Sequence, residues 1–281
     1  MASKTVPELR ELKRIANHVR QHIIEMIHAA GSGHPGGSLS AVDFAVALYH
    51  GCLNFRPDDP EWPQRDRVFW SKGHVAPLIY TIMHEVGYLD GEVLCTLRKL
   101  GSPLQGHPAR DKCKGLEVSS GSLGQGLSIA VGTALALRMD QNPARVYCIM
   151  GDGEQQEGQI WEAAMAGAHY RLDNLCGFVD LNRLQIDGRT KDVMNIDPLA
   201  DKYKAFNWNV IEIDGHDIQQ CLDALEAARE HKGQPTVIIG HTVKGKGVSF
   251  MENEAGWHGK CPNDEECARA LQELREEAAK L

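Results

Sequence analysis

The chain has 281 residues, 42% of them hydrophobic and 24% charged, with a formal net charge of −8. That profile fits one large globular domain or two small ones, and it is long enough to bury a sizeable core. The acidic balance argues against nucleic acid and anionic membranes as partners, no apolar run approaches the ~20 residues of a membrane span, and the opening "MASKTVPELRELKR" is too charged for a signal peptide.

Residues 8–30 place Leu9, Leu12, Ile15, Val19, Ile23, Met26 and Ile27 on one stripe, which predicts an amphipathic helix stopped by Gly31. "SGHPGGSLS" reads as a turn-rich loop, and Ser40 with Asp43 as a capping box opening the helix "AVDFAVALYHG". "RVFWS" (67–71) is a short strand, followed by a helix over 74–86; 101–126 is mostly loop, and 126–139 is helical. From there the pattern is regular: strand 145–150, helix 158–170, strand 175–180. A helix capped by Asp197-Pro198 runs to Phe206, then come strand 208–214, helix 217–231 and strand 235–243.

Continuous apolar strands alternating with helices imply an α/β fold, a doubly wound, mostly parallel sheet with helices on both faces. We expect one domain over 1–262 and a charged C-terminal helix over 263–281. Eight cysteines are spread without a CxxC pair, and Cys148 and Cys176 sit in apolar runs. A reduced, cytoplasmic protein accounts for them.

In an open parallel sheet, ligands gather beyond the carboxyl ends of the strands. Asp152, in the turn Gly151-Asp152-Gly153, follows one strand directly, and Asn182 follows the next. If these strands are neighbours their ends lie ~5 Å apart, or ~10 Å with one strand between, and both side chains can reach one small object at that edge. Both offer oxygen, which suits a hard cation such as Mg²⁺ or Ca²⁺. One Asp and one Asn are too few for a cage, so a phosphorylated cofactor and water should complete the shell. A lone Gly-Asp-Gly is a common turn; the second Gly-rich loop, "GSLGQG", strengthens the reading. Of thirteen histidines, four lie in Gly/Pro turns, His34, His74, His107 and His258, where function concentrates. The others, His18, His22 and His28 among them, read as structural.

The Gly-Asp-Gly turn with Asn182 after 28 intervening residues is similar to the pattern of thiamine diphosphate enzymes, and the chain resembles the amino-terminal half of transketolase. The resemblance rests on "SGHPGG" (32–37), "SKGH" (71–74), "GHPA" (106–109), "GSLGQG" (121–126), "GDGEQQEG" (151–158), "NRLQIDG" (182–188), "KGKG" (244–247) and "WHG" (257–259), in the family's order from about residue 10 to 262. It implies that Asp152, the Asn182 side chain and the Leu184 carbonyl hold a divalent metal, Mg²⁺ or Ca²⁺, that bridges to the diphosphate of thiamine diphosphate. Gly153 and Asn182 would also touch the diphosphate, and Gly121, Ser122 and Leu123 would line the cofactor. The family usually has Pro at Ser122 and Asp at Leu181. His74 and His258 would adjoin the diphosphate and the reacting centre, His34 and His107 the sugar hydroxyls and carbonyl. Glu157 matches an acid near the subunit interface that links paired sites.

The family's pyrimidine-binding domain has no counterpart after residue 262. The resemblance therefore implies an amino-terminal subunit of a split transketolase, completed by a C-terminal subunit in a two-plus-two heterotetramer acting on sugar phosphates in the pentose phosphate pathway. The Met start and helical end lead us to expect a natural subunit rather than a truncated piece. Alternatives are a subunit of a deoxyxylulose phosphate synthase-like or dihydroxyacetone synthase-like enzyme, or a non-catalytic cofactor-binding module. A nicotinamide-binding Rossmann protein would need an early G-x-G-x-x-G opening a helix, which is lacking.

Overall fold

The computed structural model describes residues 6–281; the first five positions of the charged opening stretch lie outside the described residues. Helix α1 (Leu9–Ala30) ends at Gly31, which takes the left-handed conformation (φ 66°) and donates its N–H to the His28 carbonyl. Its stripe is buried at Leu12, Val19, Ile23, Met26 and Ile27, each worth ~1.5–3 kcal/mol of apolar burial.

The loop expected at "SGHPGGSLS" is instead a short helix, α2 (Pro35–Ser40), with Pro at its first position. It leads into α3 (Val42–Val46), which widens into a π-helical turn over Ala47–Cys52. The expected capping box is absent. The Ser40 hydroxyl donates to Asp180 (2.5 Å) and Gly37 (3.1 Å), and Asp43 pairs with Arg20 and, at 2.8 Å, with Nδ1 of His216. Both side chains are used in tertiary contacts, which local spacing does not reveal.

Next come β1 (Arg67–Trp70), α4 (Ala76–Glu85), α5 (Gln125–Met139), β2 (Val146–Gly151), α6 (Gly158–His169) and β3 (Leu175–Leu181). A small hairpin, β4 (Leu184–Gln185) with β5 (Gly188–Arg189), and α7 (Thr190–Val193) follow. α8 (Leu199–Ala205), β6 (Asn209–Asp214), α9 (Ile218–Glu230), β7 (Thr236–His241) and α10 (Asp264–Ala278) complete the order. Asp197 makes no capping bond to α8, and Pro198 sits at the cap rather than at the first helical position. α10 opens with a capping box between Asn263 and Glu266 and packs on α1.

The main sheet has the order β1-β2-β3-β7-β6, every pair parallel. Side chains alternate between its faces. Tyr147, Ile149, Cys176 and Phe178 join the core beneath α1, α3, α4 and α9. Val146, Cys148, Met150 and Val179 join the core beneath α5, α6 and α8. All eight cysteines are free, and Cys148 and Cys176 are buried strand residues. Among the described residues, no helix is long and apolar enough to cross a membrane.

Candidate active site

β2 and β3 are neighbours in register, with Gly151 opposite Asp180, so Asp152 and Asn182 leave the sheet side by side. The Asp152 carboxylate already joins the two loops, accepting from the backbone N–H of Gly153 (2.7 Å) and of Arg183. It is buried. Burial and the nearby Asp180 carboxylate push its pKa up to about 7. Asn182 Oδ1 accepts from Leu184 N–H at 3.1 Å, and its Nδ2 donates to Asp180 at 3.2 Å.

Asp180, the last but one residue of β3, is the hub beneath this edge. It accepts from Ser40, Thr242, Asn182 and the buried Lys72. Burial opposes its charge, but Lys72 and these bonds hold its carboxyl below the usual range. Lys244, equally buried, follows β7 and donates to the Leu184 carbonyl (3.1 Å) and to Nδ1 of His258 (3.0 Å). Burial and then Lys72 lower its pKa to about 8.

A second carboxylate ties the Gly-rich loops together. Glu154, fully buried, accepts from the Ser71 hydroxyl and from the N–H groups of Gly124 (2.8 Å) and Gly151 (2.9 Å). Only a glycine fits at 126, where a Cβ would lie 2.8 Å from the Cα of Ser71.

Above these loops lies a cavity of about 340 Å³. Of the residues singled out by sequence, His34, His74, His107, His258, Gly121, Leu123, Asp152, Gly153, Glu157, Asn182 and Leu184 line it. Ser122 does not; it is exposed on the rim. The histidines cluster, with ring centroids of His34 at 5.5 Å from His74, 5.5 Å from His258 and 6.1 Å from His107. Burial, then Arg98, lowers His34 to about 4; burial, then Lys244, lowers His258 to about 3. His74 and His107 are also lowered, mainly by burial. At neutral pH all four are therefore neutral rings with one N–H and one lone pair each. The Lys244 ammonium can only donate, so the ring proton of His258 resides on Nε2.

The family model described as transketolase, thiamine diphosphate binding domain, matches residues 11–280. The chain belongs to the transketolase family. It is 43% identical over 269 residues to a 6-deoxy-6-sulfo-D-fructose transketolase subunit of Clostridium sp. (strain MSTE9), covering 96% of this chain and 98% of that one. It is 42% identical to one subunit of the apulose-4-phosphate transketolase of Phocaeicola vulgatus, covering 93% of each. Human transketolase is 40% identical over 254 residues, which cover 90% of this chain but 40% of the human one. Among solved structures, transketolase from Campylobacter jejuni superposes with a TM-score of 0.91 at 33% identity, over 97% of this chain and 43% of that chain. The chain thus spans nearly all of the transketolase subunits and about two fifths of the full-length transketolases it matches.

The site residues of this transketolase domain that sequence reasoning passed over are Lys72, Asp180, Lys244 and Glu154. Three lay inside quoted motifs, Lys72 in "SKGH", Glu154 in "GDGEQQEG" and Lys244 in "KGKG", but a lysine or glutamate on a loop reads as solvated surface. Their burial comes from packing at the strand ends. The donor set suits a divalent cation: a carboxylate raised by burial beside a second carboxylate, a carboxamide oxygen and a backbone carbonyl that already accepts from a lysine ammonium.

Proposed function

We propose that the chain is the amino-terminal subunit of a two-chain transketolase that transfers two-carbon ketol units between sugar phosphates. The observation that carries this is the convergence of Asp152, Asn182, Leu184 and four neutral histidines on one cavity at the strand ends. The near full-length match to transketolase subunits supports a chain that works with a partner.

In this reading Asp152, the Asn182 side chain and the Leu184 carbonyl would hold Mg²⁺ or Ca²⁺, and Lys244, beside that carbonyl, would offer its ammonium to the diphosphate. Gly153 leaves the backbone open to the diphosphate, and Gly121 and Leu123 line the cofactor beside it. Thiamine diphosphate, when bound, supplies the electron sink for breaking and making the carbon–carbon bond. This chain's residues position and exchange protons. Nε2–H of His258 donates to an oxygen at the reacting centre, and His74 stacks against it, centroid to centroid 5.2 Å. His34 and His107 hold the sugar hydroxyls and carbonyl as neutral donor–acceptor pairs, which orients the sugar without adding charge.

The partner chain supplies the pyrimidine-binding domain, and the assembly is two of each. Glu157 then faces its symmetry mate. Exposed Ile129 on α5 and Met165 on α6, two helices that pack together, offer apolar surface for such an interface. The two split relatives are named for different sugars, so the ketose must be found by assay. The test is to mix the purified chain with its partner, thiamine diphosphate and Mg²⁺. Ketol transfer should appear only in the mixture. Steady turnover of xylulose 5-phosphate and ribose 5-phosphate by this chain alone would overturn the reading.

A further inference from the structure

Away from the cavity, α1 carries His18 and His22 one turn apart, on one face. The last residue of α4, Glu85, is set against them by the packing of α4 on α1. Nδ1 of His18 and Oε1 of Glu85 are 3.0 Å apart, and the two imidazole centroids 4.3 Å apart. One nitrogen of each ring and an oxygen of Glu85 all lie within 4.8 Å of one another.

Two imidazoles and a carboxylate are a donor set for zinc-like ions, which bind nitrogen and oxygen at ~2.0–2.2 Å and accept three protein ligands with a fourth place for water. Mg²⁺ and Ca²⁺ demand oxygen, so they would pass this cluster by. In a tetrahedron of that size ligand atoms stand about 3.3 Å apart, close to the His18–Glu85 spacing. The remaining approach needs only side-chain rotation. The His18 side chain is 55% exposed, with room to move, while those of His22 and Glu85, at 24% and 15%, are held by packing.

We propose that His18, His22 and Glu85 form a site for a divalent transition-metal ion of the zinc class, with its fourth position open to water. Glu25 touches Nδ1 of His22 at 3.3 Å. That contact would orient the ring and leave Nε2 for the ion, the usual role of a carboxylate behind a ligating histidine. His84 stands nearby with its Nδ1 engaged by the Leu89 carbonyl at 3.0 Å. The ion would clamp α1 to α4. α1 runs directly into the loop that carries His34, and α4 begins just after His74, so the clamp braces two walls of the cavity.

Cobalt(II) is the probe, because its visible absorption reports tetrahedral nitrogen and oxygen ligation. It is titrated into the full chain with excess Mg²⁺ and thiamine diphosphate, so that the oxygen-donor site is filled. One equivalent should bind, be displaced by Zn²⁺ and raise the unfolding midpoint. His22→Gln and Glu85→Gln should each weaken binding at least ~tenfold, whereas His258→Gln, in the cavity, should leave it unchanged. A signal that persists in both α1–α4 variants, or vanishes only in His258→Gln, would overturn the site. His18 is mostly exposed, so His18→Gln keeps the fold and decides the matter if either other variant fails to fold.

Discussion

Nζ of Lys244 sits 3.0 Å from Nδ1 of His258, and the same ammonium lies 3.1 Å from the Leu184 carbonyl. One cation thus fixes a histidine tautomer and occupies the edge at which the diphosphate is proposed to bind. A hydrogen bond to a charged group contributes ~1.5–3 kcal/mol. Lys244→Met should therefore weaken thiamine diphosphate binding about ten- to hundredfold, as measured by calorimetry with Mg²⁺ on the assembled enzyme. Unchanged affinity would detach Lys244 from the diphosphate.

Asp152→Asn should separate metal binding from folding. The native carboxylate is buried beside Asp180 and raised to about 7, so the neutral amide should cost the ligand-free chain no more than ~1 kcal/mol in urea unfolding. Metal-dependent cofactor binding should be lost. Retained affinity would remove Asp152 from the metal site.

Lys72 and Asp180 form a buried ion pair. Lys72→Met leaves Asp180 charged and unpaired, which typically costs ~3–5 kcal/mol. The double variant Lys72→Met/Asp180→Asn should recover much of that loss. A double-mutant cycle with additive effects would show that the pair is not coupled.

His107→Ala should lower turnover by ~10²–10⁴ while leaving cofactor affinity nearly unchanged, because its assigned contact is the sugar. Parallel losses in both would place it against the cofactor instead.

Stability should depend on the cavity histidines in acid. An unfolded imidazole titrates near ~6.5, whereas burial and nearby positive groups hold His34 at about 4 and His258 at about 3. Between these limits the unfolded chain binds more protons, so stability falls as the pH drops from ~6.5 towards 4. Urea midpoints of the wild type at about pH 7 and about pH 5 should differ more than those of His34→Gln. An equal difference in both would mean that His34 is not held neutral by the fold.

The sheet was legible because each strand is a short, continuous apolar run between helical periods, and that pattern survives any tertiary arrangement. Asp152 and Asn182 were legible because each directly follows a strand. The α2 helix was not: "SGHPGG" is made of turn residues, and its helix exists because Gly36 and Gly37 let the backbone approach Trp257 and His74 closely. Ser40 and Asp43 were misread for a related reason. Their spacing fits a local cap, but partners from β3, α1 and the loop after β6 bind them first. Lys72 and Asp180 could not be paired from sequence, since 108 positions separate them.

The three bonds to Glu154 have a kinetic consequence. They join the loop after β1, the Gly-rich entry to α5 and the end of β2 through a single carboxylate. The ordering entropy of three loops is therefore lost when the chain folds and not again when a ligand arrives. Encounter with an anionic cofactor then needs no slow rearrangement of these loops, and differences in affinity among variants of the cavity should show chiefly in how fast the cofactor departs.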